Sequence, residues 1–305
     1  MKASVAGAPV SFGVFEMTPE GADIVSPDDM LEILAQAGYV GVDLGPLGYL
    51  GRGRKLAHRL DRFDLDLAGG WVQLPFTDDD AFEAALPTLR EALAVFSDAA
   101  SRGPSRLPLP TLADDGSAVR RAHPGRGGEL DPLPGPAWAR LAANAERAAA
   151  LVRASGFEPT FHHHAGTFVE SPEEIDRFLA NVDIDLTLDT GHLFIAGGDP
   201  VDFVRRWGSR INHLHLKDVD LGELRRVLNA GGGMPEVWSS GAFVAFGKGD
   251  IDLAGVMAAV ADQGYDGWIV VEQDVLNGPG VAIDRFRAQR AADQRTNRDA
   301  LAPWA

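Results

Sequence analysis

The sequence contains no cysteine. That excludes disulfides, thiolate zinc sites, iron–sulfur clusters and a cysteine nucleophile. Any metal is left to His, Asp, Glu or water, ligands suited to Mn, Mg, Co, Zn or non-haem Fe. Positive charge is also scarce: 28 Lys and Arg stand against 44 Asp and Glu, a formal net charge of −16. Such an acidic surface repels a phosphate backbone and argues against a nucleic-acid partner. No run approaches the roughly 18–20 uninterrupted apolar residues of a membrane span. Pro9, Ser11 and Glu16 break the mildly apolar N-terminus before a signal-peptide core could form. A cytoplasmic location is therefore expected.

What is present is an alternation. Strand-like runs fall at 4–10, 39–44, 66–72, 107–112, 158–164, 184–189, 211–216 and 267–272. Helix-like runs fall at 28–37, 51–60, 78–99, 137–155, 172–180, 200–207, 252–263 and 282–300. Ser26-Pro27-Asp28-Asp29 and Ser171-Pro172-Glu173-Glu174 each read as a Ser cap, Pro at the first helical position and early acids. Gly38, Gly156 and Gly264 follow three of the helices, where a left-handed residue is wanted. Eight strands each followed by a helix is the count of a closed (β/α)8 barrel, which at 305 residues fits a single domain over 1–305. An open doubly wound sheet is disfavoured, because no strand precedes a glycine-rich phosphate loop. The stretches 113–136 and 218–250 read as long irregular loops, and both would lie on the catalytic face.

Six of the eight histidines lie at or just beyond strand ends: His162, His163, His164, His192, His213 and His215. Barrel active sites are built there. Side-chain parity along each strand then sorts the residues. It lets His162 or His164, Asp189, His215 and Glu272 converge from the last four strands. Two imidazoles and two carboxylates suit a divalent transition metal with positions open for substrate oxygens. Taken singly, a rim His is a hydrogen-bonded scaffold group, Asp189 a turn cap and Glu272 half of an ion pair. Four such groups on four consecutive strands are hard to explain as scaffold. Glu16, Asp43, His164 and His213 are candidates to bind substrate hydroxyls. Lys217 and His192 are candidate proton donors, and Glu272 a candidate base. Phe12, Phe15, Trp71, Trp238 and Trp268 are candidate walls for a sugar-like ring. His123, with Arg120, Arg121 and Arg126, reads as a solvated loop or part of a lid.

Several stretches carry a resemblance: APVSFGVFE (8–16), GYVGVDLGPLGYL (38–50), PTLADDGSAVRRAHPGR (110–126), FHHHAGTFVES (161–171), LDTGHLFIAGGDPVDF (188–203), HLHLKDV (213–219), FGKGDID (246–252) and GYDGWIVVEQD (264–274). In this order, over nearly the whole chain, the sequence resembles the xylose-isomerase-like TIM-barrel superfamily of sugar isomerases, epimerases and AP endonucleases, and within it the inosose dehydratase (2-keto-myo-inositol dehydratase) branch. The resemblance implies a barrel holding Mn2+ or Co2+, with Zn2+ or Mg2+ chemically admissible. It implies Asp189, His215 and Glu272 as three ligands. The family's fourth ligand is commonly a Glu on strand five, and His162 stands at that place here. Only one member of the epimerases' pair of metal-bound Glu residues is then present, which favours a dehydration over a symmetric two-base epimerisation. Phe12 stands where the family favours Trp, and Asp43 where it favours Glu; both alter the fit to substrate.

The expected activity is thus a metal-dependent hydro-lyase acting on a keto-polyol such as 2-keto-myo-inositol, through an enolate and loss of a β-hydroxyl. The alternative is a metal-dependent sugar or keto-inositol isomerase or epimerase. The expected partner is a small keto-polyol or sugar, with neither nucleic acid nor membrane; a homo-oligomer is compatible with the sequence. An endonuclease-like phosphodiesterase is opposed by the charge and by the lack of His at the ends of strands two and three, where Asp43 and Gln73 stand. A non-catalytic sugar-binding barrel would bind ligand without metal.

Overall fold

A computed structural model of the chain describes residues 3–16, 18, 23–277 and 280–304. The barrel strands are β1 (Ser4–Gly7), β2 (Gly41–Asp43), β3 (Asp66–Leu74), β4 (Leu109–Asp114), β5 (Thr160–His162), β6 (Asp185–Asp189) and β7 (Ile211–Leu216). A short hairpin, β8 (Asp218–Val219) and β9 (Phe243–Val244), intervenes before the last barrel strand, β10 (Trp268–Val271). All eight barrel strands are parallel, and β10 closes the ring between β7 and β1. The (β/α)8 barrel expected from the alternation is therefore the fold. Among the described residues no helix is long and apolar enough to cross a membrane.

Local chemistry explains the elements. Ser26 accepts from the Asp29 amide and caps the helix Pro27–Gln36. Ser171 and Glu174 form a reciprocal capping box on Pro172–Asn181. Gly38, Gly156 and Gly264 all take positive φ after their helices. Phe161, Leu186, Leu188 and Leu214 are fully buried in the main apolar cluster, as their parity requires. The opposite parity fills the barrel. Thr160 and Thr187 share a hydroxyl hydrogen bond of 2.8 Å there. Trp268 plugs the lower end with Ala6, Ala68 and Val270. A Cβ on Gly41 would lie 2.5 Å from the Trp268 ring, so that close approach requires glycine.

Two expectations need correction. The run 4–10 is strand only to Gly7; Pro9–Phe12 is a short 3-10 turn opened by proline. The stretches 113–136 and 218–250 are largely folded. The first carries helices Ala118–Ala122 and Gly127–Leu130. The second carries Leu221–Asn229 and Met234–Ser240 between β8 and β9. This second segment contributes Val219, Leu224, Val227, Val237, Trp238 and Phe243 to an apolar cluster separate from the main core. It stands over the C-terminal ends of the strands.

Candidate functional site

A cavity of about 330 Å³ opens at that end of the barrel. Its floor carries His162, His215, Lys217, Glu272 and Asp274, and its walls include Asp43, Trp71, Asp114 and His164. Phe15, Met234 and Trp238 form an apolar roof, with the Phe15 and Trp238 rings 5.2 Å apart. Both volume and composition suit a small polar ligand with a carbon ring face.

The floor is built by parity and register. Asp189 ends β6 opposite His215 of β7, and His162 ends β5 opposite Thr187. Asp189 uses its two oxygens differently. Oδ1 accepts from the His192 amide at 2.9 Å and caps the helix Thr190–Ile195. Oδ2 faces the site, 3.5 Å from His162 Nε2 and 3.8 Å from His215 Nδ1. Glu272, one residue past β10, lies 3.0 Å from His215 Nδ1. His162, Asp189 and His215 each present a ligand atom within 4.8 Å of the others, and so do Asp43, His215 and Glu272. Asp43 Oδ1, His162 Nδ1 and His215 Nε2 are buried with no hydrogen-bond partner among the described residues. Buried polar atoms are normally satisfied. Unpaired buried groups beside two imidazole–carboxylate triads that share His215 fit a divalent cation.

Lys217 threads the cluster. Its Nζ lies 2.9 Å from Asp189 Oδ2, 3.0 Å from Glu272 Oε2 and 3.0 Å from Asp274 Oδ2. Burial opposes its charge, but these three carboxylates outweigh that and raise its pKa further. Burial would raise both Asp189 and Glu272; instead Lys217 holds Asp189 well below the ordinary carboxylate range, and His215 with Lys217 holds Glu272 below it. Glu272 raises His215 in spite of burial. Burial pushes His162, His164, His192 and His213 down, so these imidazoles are neutral. Burial pushes the Asp43 carboxyl up to about 6. Glu16 stands at the mouth, open to solvent yet hemmed in by protein and facing Asp43, Glu272 and Asp274, and is pushed up to about 7.

Of the residues singled out in the sequence, the structure brings His162, Asp189, His215, Glu272, Lys217, Asp43, His164 and Glu16 together. Two others are placed differently. His213 shares the parity of His215 but lies one layer deeper on β7 and does not line the cavity. His192 is fully buried behind His164, their ring centroids 3.5 Å apart, with its Nε2 3.0 Å from Lys217 Nζ. Neither touches the space a substrate would fill. Phe12 belongs to the core and Trp268 to the barrel plug, whereas Phe15, Trp71 and Trp238 do line the cavity. Asp274 went unassigned in the sequence, although it shares the parity of Glu272 two residues before it. Arg121 also lines the cavity. Its neighbour Arg120 is fully buried, paired with Glu174 at 2.8 Å and bound to the Asp131 and Thr167 carbonyls.

Comparisons with known proteins agree with this architecture. Residues 31–292 match the family model described as xylose isomerase-like TIM barrel. An inosose dehydratase of Geobacillus kaustophilus (strain HTA426) is 30% identical, over 94% of this chain and 91% of that protein. Solved structures share the fold, among them the following two. One is a probable 3-DHS dehydratase, AsbF, from Bacillus anthracis, with a TM-score of 0.64 at 14% identity, covering 94% of this chain and 97% of that one. The other is the IOLI protein with a bound zinc atom, with a TM-score of 0.69 at 12% identity, covering 99% of each chain.

Proposed function

From the premise that this chain belongs to the xylose isomerase-like TIM barrel family, we propose that it is a metal-dependent hydro-lyase that dehydrates an uncharged cyclic keto-polyol such as 2-keto-myo-inositol. The observation that carries this reading is the floor: two donor triads that share His215, His162–Asp189–His215 and Asp43–His215–Glu272, with a carboxylate–ammonium pair, Glu272 and Lys217, 3.0 Å apart beside them. His162, Asp189, His215 and Glu272 would hold the ion, Mn2+ or Co2+ by ligand type. The bound ion would supply Lewis-acid stabilisation of negative charge on the ketone oxygen.

The residues do the rest. Glu272 lines the cavity 3.0 Å from Lys217, so it is the carboxylate placed to take the proton next to the ketone. Lys217 is held as an ammonium by three carboxylates and donates to the β-hydroxyl as its C–O bond breaks. The 3.0 Å contact lets the proton gained by Glu272 restore Lys217, so one water leaves with no net proton change. Base and donor share one face, which makes the elimination syn. His192 is neutral and behind His164, so it supports the lysine and does not donate to substrate. Asp43 with its free Oδ1, His164 and Glu16 are placed to bind ring hydroxyls. Trp71 and the Phe15–Trp238 roof cover the carbon faces of the ring.

The test is incubation of the Mn2+- or Co2+-loaded chain with 2-keto-myo-inositol in deuterated water, read by mass spectrometry. Loss of one water is expected. Solvent-proton exchange with the oxygen count retained would identify an isomerase or epimerase instead.

A further inference from the structure

Resting on the one-metal reading above, we propose that the Lys217 ammonium stands where a second metal ion would sit and so limits this chain to a single metal. Beside the donors already described lies another complete set: His164, His192 and Asp274, with ligand atoms all within 4.8 Å of one another. It has the composition of a metal site in its own right. Lys217 lies between the two sets. On one side its Nζ meets Asp189 Oδ2 at 2.9 Å and Glu272 Oε2 at 3.0 Å. On the other it meets Asp274 Oδ2 and His192 Nε2, each at 3.0 Å. Two carboxylates of the first set thus reach across to the cation, as bridging carboxylates do between paired metals.

The second set is arranged as ligands. The ammonium has no lone pair, so His192 Nε2 receives it through the same lone pair that a metal would use. The Ala165 carbonyl accepts from His164 Nδ1 at 2.7 Å, which leaves His164 Nε2 as the nitrogen available to a ligand. Asp274 Oδ1 and His192 Nδ1 are buried with no partner among the described residues. Paired metals in two-metal sites sit about 3.5–4 Å apart. An ammonium at hydrogen-bond distance from the same groups fills that gap with one charge instead of two. It also offers donors where a second metal would offer an acceptor site. The chemistry of the site is thereby confined to one Lewis acid beside one hydrogen-bond donor.

The test counts metal. The chain is equilibrated with excess Co2+, separated from free ion, and its cobalt content measured per chain. Lys217→Ala is expected to hold one more Co2+ than the wild type, and Lys217→Ala with His164→Ala to return to the wild-type count. An unchanged count in Lys217→Ala, or an extra ion that survives loss of His164, overturns the proposal. Because the quantity is an increment, a wild type holding no cobalt refutes the one-metal reading while leaving this inference to be judged separately. A crystal structure of the Mn2+-loaded wild type needs no variant. One anomalous peak is expected, with Lys217 still in contact with Asp274 and His192. A peak among His164, His192 and Asp274 with the lysine displaced overturns the proposal.

Discussion

Arg120→Met should cost about 3 kcal/mol of stability. The side chain is fully buried and joins two rim segments. It reaches the Asp131 carbonyl of its own segment, and the Thr167 carbonyl and Glu174 carboxylate of the segment after β5. Its guanidinium also lies 4.9 Å from the Phe168 ring. Removing one partner of a buried ion pair costs about 3–5 kcal/mol. Methionine keeps most of the volume, and Glu174 retains the amides of Glu170 and Ser171, which places the effect at the low end. For 305 residues, at about 2.1 cal/mol/K each, the unfolding entropy is about 0.6 kcal/mol/K, so Tm should fall by about 5 °C. Differential scanning calorimetry reads this directly. The control is Arg126→Met, whose side chain is 67% exposed with a single 3.5 Å partner and should shift Tm by less than about 1 °C. Amide exchange should quicken first in residues 113–134. A Tm drop below about 2 °C, or one no larger than the control's, would refute the idea that this ion pair locks the cavity wall.

Saturation with Co2+ at about a hundred times Kd should add about 2.7 kcal/mol, or about 4 °C in Tm; the shift should vanish in Asp189→Ala, and a shift that persists would contradict the ligand assignment. Glu272→Gln, compared at equal metal content, should slow water loss by roughly two orders of magnitude or more; full turnover would remove it as the base. Asp114 accepts three backbone amides, yet burial pushes its carboxyl up to about 6. The folded chain then binds this proton more readily than the unfolded chain, so the contribution of Asp114 to stability grows as pH falls from about 6 toward 4. Urea titrations of Asp114→Asn should lack that component, roughly 3 kcal/mol at most; an identical pH slope in variant and wild type would exclude it. Gly116→Ala places a Cβ 2.2 Å from the Gly166 carbonyl at φ +56°, and should lower Tm and raise KM together; an unchanged Tm would show that the rim loops are not in rigid contact.

The barrel was legible because eight alternations admit few closures, and parity within short parallel strands leaves little freedom. Thr187 and Asp189 had to face inward once Leu186 and Leu188 faced the helices, and His215 followed in the same way. Parity fixes direction but not depth. His213 shares the parity of His215 and so read as a substrate-binding residue, although two residues of rise place it a layer below the cavity. The same rule, carried one step further, points Lys217 inward beside His215. His192 eluded it because it sits on a helix capped by Asp189, where strand periodicity has ended. The stretches 113–136 and 218–250 looked irregular because Gly and Pro punctuate them. The first helix of each was nonetheless marked by a side-chain cap, Ser117 and Asp220.

The roof made by residues 218–244 leans largely on an apolar cluster of its own, while the floor donors hang from barrel strands held by the main core. Changes to Met234 or Trp238 would thus draw mainly on a stability reserve other than the one that fixes Asp189 or Glu272. Such a chain can exchange the shape it accepts while conserving the reaction it performs. For directed evolution, libraries confined to 221–240 should yield altered substrate preference at a low rate of unfolded clones. Libraries at the ends of β5, β6, β7 and β10 should yield mostly inactive protein.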